Sequence, residues 1–329
     1  MASDAGPMPM HSQIPSLAGA TGWLNSPPLT PSELLGRVVL IDFWTYTCIN
    51  WRRTLPYLNA WAKRYGPSGL IVIGVHTPEF SFEHDLDNVR QQTREIGVGY
   101  PSAIDSDFAV WRAFHNQYWP ALYLFDAQGR LRHHQFGEGG YAETEAVIQK
   151  LLREGGRQDV DAGPTSVTPG GFELAANWDN VRSAETYLGE AQTEGFASPG
   201  GTHAGERRTY SSPERLGLND WALSGTWTVD SERVRLEQAG GRIAYRFHAR
   251  DVNLIMGPSS RGGAVRFRVL LDGKPPGSAH GLDVDEAGNG TAKEQRMYQL
   301  IRQSGPIVDR RFEIEFLDPG AEAFDFTFG

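Results

Sequence analysis

The chain of 329 residues holds one cysteine, Cys48, and five methionines. A single thiol cannot close a disulfide within the chain, so a disulfide-stapled scaffold is excluded. No stretch approaches the ~20 consecutive apolar residues of a membrane-spanning helix. The first twenty residues carry Gly and Pro without an apolar leader core, and neither a signal peptide nor an anchor is read there. Basic residues are in deficit, 31 against 40 acidic ones, for a net charge of −9. Such a chain has no electrostatic pull toward phosphate backbones, and nucleic acid is not an expected partner. There is no phosphate-cradling glycine loop, no Gly-x-Ser-x-Gly elbow and no zinc-ligand spacing. What remains is an ordinary globular composition, 40% hydrophobic and 22% charged, at a length that favours two domains.

Residues 1–30, with Pro7, Pro9, Pro15, Pro27 and Pro28, read as an irregular arm. Val38 to Trp44 is a nearly continuous apolar run, the mark of a strand covered on both faces. Leu55, Leu58, Ala62 and Tyr65 then recur at helical spacing, interrupted by Pro56, which predicts a kinked helix. A second buried strand is expected over Leu70–Val75, a polar helix over Glu83–Ile96 and a helical stretch over Phe108–His115. Ala121–Phe125 and Leu131–Phe136 form a hairpin across the turn signal Asp126-Ala127-Gln128-Gly129, and a helix over Glu143–Leu152 closes the domain. This is an α/β domain over 31–154 with a central mixed sheet. Gly and Pro clusters mark 155–171 as a linker. Beyond it, alternating runs such as Arg242–Phe247, Val265–Leu270, Phe312–Phe316 and Phe324–Phe328 predict an all-β sandwich over 172–329.

Cys48 lies where a buried strand passes through a short loop into a helix. Unpaired N–H groups and the positive end of the helix dipole stabilise a thiolate there, which predicts a pKa below the ~8.5 of an unperturbed cysteine. The competing reading is a buried structural thiol.

Val38 to Trp51, Ile73 to Phe80 and Tyr118-Trp119-Pro120-Ala121 carry a resemblance. Residues 15–153 resemble the thioredoxin-like domain of TlpA/ResA-type extracytoplasmic thiol–disulfide proteins. They are most similar to the soluble C-terminal part of DipZ-type proteins, in which a membrane reductant-carrying module comes first. The remainder is similar to the carbohydrate-binding-module-like β-sandwich, of jelly-roll type, that follows in the same family. The resemblance implies a thioredoxin-like fold with Cys48 as nucleophile and Glu79 as a carboxylate that relays protons. It implies a motif and substrate groove of Trp44, Thr47, Ile49, Asn50, Trp51, Trp119 and Pro120, with the Trp119–Pro120 bond cis. It also implies partner proteins bearing thiols or disulfides, a membrane reductant module, a glycan at the sandwich, and work in the periplasm or elsewhere outside the cytoplasm. No cofactor and no metal are expected.

The family motif is Cys-x-x-Cys, whereas this chain reads Cys48-Ile49-Asn50-Trp51. A second thiol normally resolves the mixed disulfide that the first one forms. With Trp51 in that place, the expected chemistry is monothiol. Two alternatives stay open: a redox-inactive module that binds protein or glycan, and a one-cysteine peroxidase with Thr45 three residues before Cys48. In the sandwich, Trp178, Trp221, Trp227, Tyr187 and Tyr245 serve either as core or as surfaces for sugar rings. The acidic run Asp283–Gly290 reads as a polar hairpin loop.

Overall fold

The computed structural model describes residues 6–157, 160–260 and 263–329. It divides into two compact units, Met1–Leu174 and Ala175–Gly329. The first five residues of the arm and residues 158–159 of the linker lie outside the described residues.

In chain order the first unit contains β1 (Gly22–Leu24), α1 (Pro31–Leu34), β2 (Val38–Trp44), α2 (Ile49–Tyr65), β3 (Leu70–His76), α3 (Leu86–Ile96), β4 (Ser102–Ile104), α4 (Ala109–Ala113), β5 (Ala121–Phe125), β6 (Leu131–Phe136) and α5 (Tyr141–Glu154). The strands form one mixed sheet in the order β1-β4-β3-β2-β5-β6. β2, β3 and β4 run parallel, while β5, β6 and the edge strand β1 are antiparallel to their neighbours. Every residue of β2 is buried, as its unbroken apolar run requires of a central strand. Val39, Ile41 and Phe43 join Ile73, Val75, Tyr123 and Phe125 in a core cluster that also takes in Met8 and Leu17 from the arm.

Two local expectations change. The arm is not wholly irregular, because Gly22–Leu24 pairs with Leu24↔Ser102 register along β4. Both of these three-residue strands are too short to show a period of two. The polar helix starts at Leu86, not Glu83, since the Asp85 carboxylate caps it by accepting from the Asp87 and Asn88 N–H groups. Glu83 falls instead in a 3-10 turn, Ser81–His84. α2 continues through Pro56 as one helix of 17 residues.

The second unit contains β7 (Thr186–Tyr187), β8 (Arg207–Tyr210), β9 (Trp221–Val229), β10 (Val234–Leu236), β11 (Arg242–Phe247), β12 (Asp251–Pro258), β13 (Val265–Leu271), β14 (Asn289–Ala292), β15 (Arg296–Arg302), β16 (Arg310–Phe316) and β17 (Ala321–Phe328). Their described pairings are all antiparallel. β9 belongs to both halves of this sheet. Its first residues pair with β11 and its last with β8 and β10, so the sheet folds into a half-barrel around an apolar core. The fold line passes Gly225, whose φ of +98° and close approach to Gly241 leave no room for a side chain. Trp221, Trp227 and Tyr245 are buried in the core, Tyr187 is half-buried and Trp178 is exposed.

Candidate functional site

Strand β2 ends at Trp44, a buried loop of Thr45, Tyr46 and Thr47 follows, and Cys48 is the N-cap residue of α2. Its own N–H closes the loop onto the Thr45 carbonyl at 3.3 Å. The side chain makes no capping bond to the helix. Sγ donates instead toward the Trp119 carbonyl at 3.7 Å, across the cis Trp119–Pro120 bond that leads into β5. Cys48 is half-buried, while its neighbours Thr47, Ile49 and Trp51 are sealed. Cys48 and Asn50 are therefore the motif residues that reach the surface.

Trp51 does not line a groove. It is fully buried, stacked on Trp44 with ring centroids 4.3 Å apart, and Trp44 is equally buried. The indole Nε1 donates to Asp42 Oδ2 at 3.0 Å, and the Tyr100 hydroxyl donates to the same oxygen at 2.9 Å. Asp42 is a carboxyl inside an otherwise apolar central strand. Burial pushes it up to about 7, against the pull of the two hydrogen bonds, and burial beside that carboxyl pushes the Tyr100 phenol well up. A side chain one helical turn past Cys48 thus faces inward and serves the floor of the site. Of the groove residues expected from the resemblance, Trp44, Thr47, Ile49 and Trp51 offer no surface to a partner. Asn50 and Trp119 are half-buried, and Pro120 is buried.

A second carboxylate, Glu83, is coupled to the loop. Glu83 is completely buried and accepts from the Thr47 hydroxyl at 2.7 Å, the Glu79 N–H at 2.7 Å and the Phe80 N–H at 3.0 Å. Burial raises it above the ordinary carboxylate range, and these bonds oppose the rise. Glu79 is half-buried and contributes its backbone to this network. Nothing in the polar stretch from Glu83 to Ile96 marks Glu83 as different, because its burial comes from a turn that the sequence pattern does not announce. Asp42 did carry a signal: a lone acid in a continuous apolar run. Thr45 is also sealed, its hydroxyl 3.5 Å from His76 Nε2. Burial drives His76 down to about 3, which keeps the ring neutral.

Around the sulfur the surface is aromatic. Trp119 packs on Trp111 with centroids 4.2 Å apart and donates Nε1 to the Thr77 carbonyl at 3.1 Å. Tyr118, half exposed at 50%, leans on Phe136 at 5.1 Å. Buried Asn116 pins this loop by donating to the Tyr118 carbonyl at 3.0 Å and accepting from the Tyr123 hydroxyl at 3.1 Å. No group of three or more metal-ligating side chains occurs among the described residues.

A strand–loop–helix unit that sets one accessible sulfur at a helix N-terminus, on a mixed five-strand core with an added edge, defines a thioredoxin-like thiol protein. Comparison with known proteins agrees. Residues 15–134 match the AhpC/TSA family, and residues 183–329 match the thioredoxin-like C-terminal domain. The thiol–disulfide oxidoreductase YkuV of Bacillus subtilis is 33% identical over 45% of this chain and 99% of its own. The chain belongs to the thioredoxin-like thiol–disulfide oxidoreductases. Protein DipZ of Mycobacterium bovis is 38% identical over 79% of this chain, which spans about a third (36%) of that relative's length. The solution structure of a thioredoxin-like protein in the oxidised form aligns with 45% of this chain and 99% of its own, at 33% identity and a TM-score of 0.41. Among the described residues no helix is long and apolar enough to cross a membrane.

Proposed function

We propose that the chain performs thiol–disulfide exchange through Cys48 alone, forming mixed disulfides with partner proteins or small thiols. The observation that carries this reading is the placement of the only sulfur nucleophile, half-exposed at the N-cap of a long helix, in a chain without a second thiol. The N-terminal N–H groups and dipole of α2 stabilise negative charge on Sγ. The thiolate attacks one sulfur of a partner disulfide, the new Cys48–S–S bond forms, and the other sulfur leaves as a thiolate and takes up a proton. No internal thiol can reverse the step. A second, external thiol must attack the mixed disulfide, leaving as the disulfide of partner and external thiol and returning Cys48 to the thiolate. Glu83, joined to the loop through Thr47, is a buried acid that can serve this proton traffic.

Intact-mass measurement after incubation with glutathione disulfide tests the reading. One glutathionyl adduct per chain is expected, removed by dithiothreitol and absent from Cys48→Ala. A folded protein that takes up no adduct refutes it. By resemblance to DipZ-type proteins we place this activity outside the cytoplasmic membrane, next to a reductant-carrying membrane module. For the C-terminal unit we propose a binding role toward glycan or protein. Its exposed aromatic is Trp178, 59% accessible, and soluble glycans that leave the fluorescence difference between the parent and Trp178→Phe unmoved count against the glycan form of this role.

A further inference from the structure

The last residues of the first unit, 160–173, do not hang free as a tether. They run back along α2. At the C-terminal end of that helix, the Thr165 N–H donates to both Glu145 oxygens at 2.9 and 3.0 Å, Arg64 donates to the Thr165 hydroxyl at 3.0 Å, and Gln149 donates to the Gly163 carbonyl at 3.2 Å. Six residues later, a 3-10 turn at Gly171–Glu173 has reached the other end of the helix. There the Arg52 guanidinium lies over the Phe172 ring, 5.2 Å from its centroid, and the Glu173 carboxylate sits in the field of the same cation. The distance fits the chain: from Tyr65 back to Arg52 the helix covers about 20 Å, which is the reach of about six extended residues.

Arg52 is four residues past Cys48, hence on the same face and one turn along. Long helical side chains lean toward the N-terminus, so Arg52 and the ring it touches lie over the turn that begins at the sulfur. Tyr118 rises beside the Trp119 carbonyl that Sγ contacts. Two aromatic rings, Phe172 through Arg52 and Tyr118 through its neighbour Trp119, thus each stand one residue removed from Cys48. Arg52, the cation one turn from Cys48, is itself engaged by the Phe172 ring and lies in the field of the Glu173 carboxylate. A polypeptide with bulky apolar side chains beside its disulfide has surface to bury against both rings.

Resting on the exchange chemistry proposed for Cys48, we infer that Phe172 and Tyr118 are specificity-determining walls of its partner site, and that the favoured partner is a polypeptide disulfide flanked by aromatic or large aliphatic residues.

The test measures the rate of mixed-disulfide formation on the full chain with three probes: glutathione disulfide, a symmetric peptide disulfide with Phe and Leu on either side of its cysteine, and the same peptide with Ser and Gly there. The apolar peptide is expected to react faster than the Ser/Gly peptide. The ratio of the two peptide rates should fall about five-fold in Phe172→Ala and in Tyr118→Ala, the worth of one aromatic contact. Phe172→Leu, which keeps an apolar wall, should retain most of the preference and controls for misfolding of the connector. Equal rates for the two peptides in the parent protein, or a ratio that Phe172→Ala and Tyr118→Ala leave unchanged, overturn the inference. An absence of adducts with every probe, glutathione disulfide included, refutes the exchange reading itself.

Discussion

Asp42→Asn exchanges one oxygen for an amide at the floor of the cysteine site and keeps an acceptor for the Trp51 and Tyr100 donors, because the carboxylate uses Oδ2 for both and Oδ1 has no hydrogen-bond partner. The carboxyl titrates near 7 in the folded protein, against an ordinary 3.8. At about 1.4 kcal/mol per pH unit, burying this group costs roughly 4 kcal/mol once it must ionise. The sign follows from proton counting. Below pH 4 both folded and unfolded states hold the proton and there is no cost. Between 4 and 7 the unfolded chain releases the proton while the folded one keeps it, so stability falls as pH rises. Above 7 the full cost remains. His76 works oppositely: its folded value of about 3 lies below the ordinary 6.5, so its contribution to stability grows as pH rises over that interval. The two slopes mask each other in the parent protein, and the variant separates them. Hydrogen exchange of the β2 amides, which reports opening of the first unit alone, supplies the measurement. The stability of Asp42→Asn relative to the parent should grow by roughly 4 kcal/mol from pH 4 to pH 8. A difference that stays flat with pH would show that the carboxyl is not held protonated, and the reasoning about the floor would be wrong.

Other changes probe single contacts. Trp51→Phe keeps a ring against Trp44 but removes the donor to Asp42, and should lower the stability of the first unit by ~1–3 kcal/mol in chemical denaturation while leaving Cys48 able to take a glutathionyl group. Thr47→Val strips Glu83 of one side-chain donor inside the protein, for a loss of ~1–3 kcal/mol in chemical denaturation that deepens as pH rises, because an ionised Glu83 needs the bond more. Glu138→Gln leaves Arg53, buried and paired with it at 2.9 Å, without a counter-charge and should cost about 3–5 kcal/mol by thermal unfolding. Gly225→Ala adds a Cβ 2.8 Å from Gly241 Cα at a φ of +98°, and should lower the unfolding of the second unit by ~1–3 kcal/mol without moving exchange in β2.

The longer strands and helices of the first unit, the turn at Asp126–Gly129 and the change to alternating strands after residue 171 were legible because each rests on local periodicity or local turn chemistry. So was Cys48, whose setting between a buried strand and a helix is a property of adjacent residues. Trp51 shows the opposite case. Its place in the motif says only that a second sulfur is missing; that the indole turns inward to share Asp42 with Tyr100 depends on a residue 49 positions further along the chain. The burial of Glu83 is similar, since it is one acid among several in a polar stretch and only the 3-10 turn between β3 and α3 makes it dry. The connector gave a composition of Gly and Pro that reads as a tether, yet Glu145 and Arg52 hold it against α2.

Sequence alone determined where the sulfur is and that this sequence holds no second thiol to pair with it, because identity and neighbouring pattern are encoded residue by residue. What surrounds that sulfur — a protonatable floor, a sealed acid, two aromatic walls from distant segments — was decided by tertiary packing, because burial and hydrogen-bond partners arise between residues that the chain brings together only when it folds.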